Sequence, residues 1–292
     1  MDLPREATLL RLDQLAVLVD AALTSAAVPH ALLKGASTTR WLYPEGRMHY
    51  DVDVLVPASR VSAAAGALAA AGLATSRSGA AGEEAEHSLL LHSPDGFEID
   101  LHRSLPSVPV SELVWTTLAP HVTTLALDVG VVTALDEPGR CLVLALHAAH
   151  SGPGEPGPAE DLRRARHQAA AESWRWARDA AARLGVADLL SAGLVRAGEQ
   201  VDGPLSRRAA LLLAGAPAPA IGLQRLLSAP GRQRPGIVIR ELVPSPGFLR
   251  RAYPDLTSRR FGLLRAHLRR WAHLVRAVPA AVRAWRDTSS AE

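Results

Sequence analysis

Lysine is almost missing from this 292-residue chain: Lys34 is the single one among 32 basic residues. The surplus of Arg, Ala, Gly and Pro fits a GC-rich coding background. With a formal net charge of only +3, the positive excess gives little support to nucleic acid as the favoured partner. Cysteine is equally scarce. Cys141 alone excludes an intramolecular disulfide and a thiolate cluster, and its place in an apolar helical run predicts a buried thiol in a reducing compartment. No run of about 18 apolar residues offers a bilayer span, and Met1 to Leu10 lacks the basic start and apolar stretch of a signal peptide. A cytoplasmic protein with no membrane partner is the expectation.

Aromatic residues make up only 4%, against 48% hydrophobic residues overall, and leucines at helical spacing among many alanines lean the chain toward helix. Its length suits two domains. Leu9, Leu12, Leu15, Val19 and Leu23 line one face of a helix over Glu6 to Ala27, which Pro29 stops. His30 to Lys34 reads as a short strand closed by Gly35, and Ala36 to Leu42 as a helix. Met48 to Val56 alternates so that Asp51 and Asp53 share one strand face. A helix over Ser59 to Ala71, capped by Gly72, leads into a loop from Ser76 to Glu86. Two strands, His87 to His92 and Phe97 to Leu101, flank a Ser93-Pro94-Asp95-Gly96 turn. The second strand puts Glu98, Asp100 and His102 on its polar face.

A strand is expected at Val122 to Val132. From Gly139 the chain turns helical, with a Pro/Gly loop at Gly152 to Pro158 and helices over Trp174 to Leu184, Arg207 to Leu213 and Arg259 to Val278. The fold class expected is α+β: a mixed sheet with flanking helices over residues 1–138, followed by a mainly helical domain over 139–292 that shapes an acceptor site.

Two aspartates one residue apart on a strand, with a third acid from a neighbouring strand, make a hard-oxygen site suited to Mg²⁺. Two such ions would assist in-line displacement at phosphorus. A triphosphate also needs a cradle, and Lys34-Gly35-Ala36-Ser37 lies where a strand hands over to a helix. There Gly35 admits close approach of the backbone, and Lys34, Ser37 and Arg47 add charge and hydrogen bonds.

These elements resemble the nucleotidyltransferase superfamily of the DNA polymerase β type. Its pattern of a glycine turn, Asp-x-Asp between apolar residues and a later single acid corresponds to Leu33-Lys34-Gly35-Ala36-Ser37, Asp51-Val52-Asp53-Val54-Leu55-Val56 and Ile99-Asp100-Leu101. Within the superfamily, Arg47 ahead of Asp51 to Val56, and Asp100-Leu101-His102, look most like uncharacterised bacterial nucleotidyltransferases often found near gene clusters for lasso peptides and other modified peptides. Ala36 departs from the Gly or Ser usual there, and Ser37 comes one position later. The resemblance implies Asp51, Asp53 and Asp100 as catalytic and metal-binding, and Lys34, Gly35, Ser37, Arg47 and His102 as nucleotide-binding. It also implies an NTP donor such as ATP, and a peptide, protein or small molecule as acceptor.

Two choices stay open. Glu98 competes with Asp100 as third acid. A domain that binds nucleotide or peptide without catalysis, or a toxin-like transferase acting on tRNA, is the alternative to an Mg²⁺-dependent enzyme. His147 and His150, one helical turn apart near Cys141, are weighed as a metal pair and read instead as lining the domain interface. The Phe261, Leu264, Leu268, Trp271 and Val275 stripe, among Arg259, Arg260, Arg265, Arg269 and Arg270, is expected to pack on the protein's own body, with RNA, an acidic peptide partner or an anionic surface as the alternatives.

Overall fold

The apolar stripe read on the first helix meets a sheet. In the computed structural model, α1 (Arg5–Ser25) buries Leu12, Leu15, Val19 and Leu23 against Val52, Val54, Ile99 and Leu101 of two strands and Val61, Ala64 and Leu68 of α3 (Val61–Ala70). Each such aliphatic side chain contributes roughly 1.5–3 kcal/mol when fully buried. The structure describes residues 5–44, 46–74, 83–84, 87–152, 154–229, 231–244, 246–257 and 261–289.

Before α3 lie β1 (Ala31–Leu32), α2 (Ala36–Leu42) and β2 (Asp51–Leu55). After it come β3 (Glu83–Glu84), β4 (Ser88–His92), β5 (Glu98–His102), α4 (Ser111–Leu118), β6 (Val122–Leu127) and β7 (Gly130–Leu135). Among the described residues, seven strands form one mixed sheet in the order β3-β4-β5-β2-β1-β7-β6. β2 runs parallel to β5 and β1 parallel to β7, while β1–β2, β3–β4, β4–β5 and β6–β7 are antiparallel. The fold is α+β.

The sequence reading needs three adjustments here. The single strand expected within Val122 to Val132 is a hairpin, because Asp128 and Val129 turn the chain and Gly130 starts a second strand. The expected loop Ser76 to Glu86 falls mostly outside the described residues, but Glu83–Glu84 within it pairs with β4. α4 went unread. The expected 93–96 turn is present, with Gly96 at φ +87 and its amide donating to the Ser93 carbonyl.

α5 (Glu137–His150), α6 (Pro156–Gln168), α7 (Ala171–Arg183), α8 (Ala187–Arg196), α9 (Arg207–Leu213), α10 (Ala218–Ser228), α11 (Arg234–Leu242), α12 (Pro246–Ala252), α13 (Pro254–Thr257) and α14 (Gly262–Ser289) complete the chain. The chain divides into two compact units, Met1–His147 with Glu160–Ala187, and Ala148–Ala159 with Asp188–Glu292. The first contains the sheet. In the second, Leu211, Ala220 and Ala281 form a small core flanked by Ile221 and Trp285. That packing explains why α14 continues past Val278 and through Pro279: the turns beyond the proline are anchored by Ala281 and Trp285.

Cys141 is buried, and burial pushes its thiol up to about 12. No helix among the described residues is long and apolar enough to cross a membrane.

Candidate active site

Strand β1 hands over to α2 through a turn that only glycine fits well. Gly35 sits at φ +61, and a Cβ there would lie 3.3 Å from both the Asp51 carbonyl oxygen and the His49 ring. The turn is tied to β2 by the Leu33 amide, which donates to the Asp53 carbonyl at 3.0 Å. No side chain caps the start of α2. Ser37 is fully buried there, and its hydroxyl donates to the Lys34 carbonyl at 3.2 Å, so that side chain is engaged within its own turn.

Alternation along β2 and β5 sorts the residues by face. Val52, Val54, Ile99 and Leu101 enter the core, and the intervening residues share the opposite face. The parallel register sets Asp51 beside Glu98, Asp53 beside Asp100 and Leu55 beside His102. His102 Nε2 donates to Asp53 Oδ1 at 2.7 Å and stands 3.3 Å from Asp100 Oδ2. Its ring stacks on that of His87, with centroids 5.8 Å apart. From the β1–α2 turn, Lys34 Nζ reaches Asp53 Oδ2 at 3.2 Å.

Ligand atoms of Asp53, Asp100 and His102 lie within 4.8 Å of one another, which no other His, Cys, Asp and Glu group does among the described residues. His147 and His150 belong to no such group. Asp100 Oδ1 is buried without a hydrogen-bond partner. Clustered carboxylate oxygens with an unsatisfied acceptor fit a hard divalent cation. Glu98, by contrast, is exposed.

Charge and burial compete at this cluster. Burial alone would raise the Asp53 carboxyl, but Lys34 and the His102 hydrogen bond outweigh it and hold that carboxyl well below the usual range. Lys34 mirrors this: burial disfavours its ammonium, yet Asp53 and then Asp51 raise its pKa. Asp51 feels Lys34 only at longer range. Burial first, then the neighbouring charge of Asp53, push it up to about 6, with Lys34 offsetting part of the rise. The buried His49 imidazole is lowered, chiefly by burial.

Arg47 lies elsewhere than in the carboxylate cluster. It pairs with Asp161 on α6 and donates to the Tyr43 hydroxyl at 2.8 Å, while Tyr43 donates to the same carboxylate. The Arg164 guanidinium covers the Tyr43 ring, 4.2 Å from its centroid. Arg140 donates to the Ser37 carbonyl at 2.9 Å and lies over Trp41. Tyr43, Asp161, Arg164 and Arg140 therefore brace the segment leading into Asp51, and sequence reasoning missed all four. The only local signal was Tyr43 beside the helix-ending Pro44. Asp161 lies 118 residues further along the chain and shows no pattern linking the two.

The structure thus brings Lys34, Asp53, Asp100 and His102 to one place, leaves Asp51 outside that ligand group but within electrostatic reach of it, packs Gly35 against the Asp51 backbone, turns Ser37 inward and sets Arg47 on Asp161. Against known proteins, the sequence profile of a family described as uncharacterised nucleotidyltransferase matches residues 6–202. None of the curated proteins matches. Two solved structures are similar. The antibiotic-resistance factor ANT(2'')-Ia is 17% identical, with a TM-score of 0.42 over 60% of this chain and 92% of that one. An antigenic nucleotidyltransferase-like protein from Paracoccidioides brasiliensis is 20% identical, with a TM-score of 0.37 over 61% of this chain and 93% of that one.

Proposed function

The chain belongs to this family of uncharacterised nucleotidyltransferases, and from that premise we propose an Mg²⁺-dependent transfer of a nucleoside monophosphate from an NTP to a hydroxyl or phosphate of an acceptor, with release of pyrophosphate. The acceptor is a peptide, a protein or a small molecule. The observation that carries the reading is the register of β2 on β5, which sets Asp53 beside Asp100 with His102 bridging them.

Asp51, Asp53 and Asp100 would hold the metal, as two ions, which when bound supplies positive charge against the triphosphate and the leaving pyrophosphate. Lys34 and the amides at the start of α2 face the donor phosphates, and Gly35 keeps the backbone close enough to do so. His102 orients Asp53 and Asp100, and Arg47 adds a guanidinium held by Asp161 and Tyr43. With a hydroxyl acceptor, its oxygen bonds to the α-phosphorus and the bond from that phosphorus to the pyrophosphate oxygen breaks. The hydroxyl proton passes to Asp100, whose Oδ1 has no hydrogen-bond partner in the structure.

The test incubates each α-labelled NTP with Mg²⁺ and candidate acceptors, comparing the wild type with the Asp51→Ala, Asp53→Ala double variant. Transfer by the wild type alone is expected. Label transfer that persists in the double variant removes the site. NTP binding without transfer to any acceptor favours a binding module, and transfer to tRNA alone favours the toxin-like reading.

A further inference from the structure

The family match stops at residue 202, and the charge of the chain changes sign there. Residues 203–292 hold 16 arginines and four acidic residues, a net charge of +12, against −9 for residues 1–202. The modest overall charge conceals this asymmetry.

The same segment fails to bury its apolar stripe. Leu264, Leu268, Trp271, Val275, Val278 and Val282 recur every three or four residues along α14, and all are exposed, Val275 at 70%. Packing on the protein's own body, expected from the sequence, is therefore not what α14 does with this stripe. Its buried contacts run through Ala266 and Ala281 instead. Beside the stripe, Arg265, Arg269, Arg276 and Arg283 form a second exposed row, and Asp287 is the only acid in the helix. The apolar surface continues onto α11. The Trp271 indole donates to the Leu242 carbonyl at 2.7 Å, and Ile239, Leu242 and Val243 are exposed around it.

A face with an aliphatic row, a tryptophan and a parallel arginine row is built for a surface that is apolar within and anionic at its rim. We propose that the α11–α14 face docks on the surface of an anionic phospholipid bilayer, with α14 lying in the headgroup plane, its apolar row in the acyl boundary and its arginines on lipid phosphates. The helix does not span, and peripheral docking of this kind replaces the expectation of no membrane partner. Self-association through this face would set two segments of +12 against each other. Nucleic acid would satisfy the arginines and could stack on Trp271 and Phe261, but it would leave the longer row of leucine and valine unburied.

The experiment sediments the full chain with extruded vesicles of phosphatidylcholine, alone or mixed with phosphatidylglycerol. Binding to the mixed vesicles at least about tenfold stronger than to phosphatidylcholine, and its loss near 0.5 M NaCl, are expected. Leu268→Asp and Val275→Asp change exposed residues, so circular dichroism should be unaltered while vesicle binding falls about tenfold. Arg276→Ala, which leaves the stripe intact, should weaken binding to the mixed vesicles about fivefold. Equal binding to both lipids, or binding indifferent to these variants, overturns the proposal. So does retention of single-stranded RNA without vesicle binding, or a dimer that the two aspartate variants dissociate.

Discussion

Lys34 Nζ lies 3.2 Å from Asp53 Oδ2, so the only lysine of the chain serves as counter-charge to a buried aspartate. A compact ammonium on a flexible stem fits between a tight turn and a strand where a planar guanidinium would not. Lys34→Arg keeps the charge and should keep the fold, yet lose about tenfold in NTP affinity, read by titration with a fluorescent NTP. Lys34→Met leaves the Asp53 charge buried and should cost about 3 kcal/mol in denaturant unfolding. Adding Asp53→Asn should restore part of that loss.

Asp51 predicts a pH dependence of stability. Its carboxyl, raised by burial and then by Asp53, titrates near 6 in the folded chain, against about 3.9 unfolded. A raised acid binds its proton more tightly when folded, so its contribution is present below about pH 4 and lost as pH rises through 6. Asp51→Asn removes that loss. In the presence of a chelator, the variant should gain on the order of 2 kcal/mol relative to wild type between pH 4 and pH 8, after discounting for partial exposure. A constant difference in melting temperature across that range would contradict the assignment.

The register sets a prediction for the third acid. Asp100 lies beside Asp53 and belongs to the Asp53–His102 group, while Glu98 is exposed beside Asp51. Asp100→Asn should reduce transfer by about a thousandfold or more, whereas Glu98→Gln should stay within a few-fold of wild type. The reverse order of effects would exchange the two roles.

Gly35 is constrained twice, by its φ of +61 and by the 3.3 Å approach of the Asp51 carbonyl. Gly35→Ala should cost about 1–2 kcal/mol and lower NTP affinity as the turn moves off β2. Melting curves and the same NTP titration check both effects.

How much of this was legible beforehand follows from how local each signal is. The Asp51–Asp53 pair needs only period-two alternation, and Gly35 only a strand meeting a helix, so both were readable. The pairing of Asp53 with Asp100 depends on two strands from distant parts of the chain lying parallel in register. Alternation could not separate Glu98 from Asp100 because both face the same way. The Asp161 contact to Arg47 and Tyr43 is longer still in sequence, and nothing around Asp161 marks it. The exposed stripe on α14 shows the converse limit: helical periodicity identifies an apolar face without saying what covers it.

The most direct test of the proposed chemistry follows both ends of the donor. The wild type is supplied with NTP labelled at the α- or the γ-phosphorus, alongside the Asp53→Asn variant. Nucleotidyl transfer at this site puts α-label on the acceptor and γ-label in released pyrophosphate, and gives neither with Asp53→Asn. Transfer of the γ-label to the acceptor, or undiminished α-label transfer by Asp53→Asn, would contradict it.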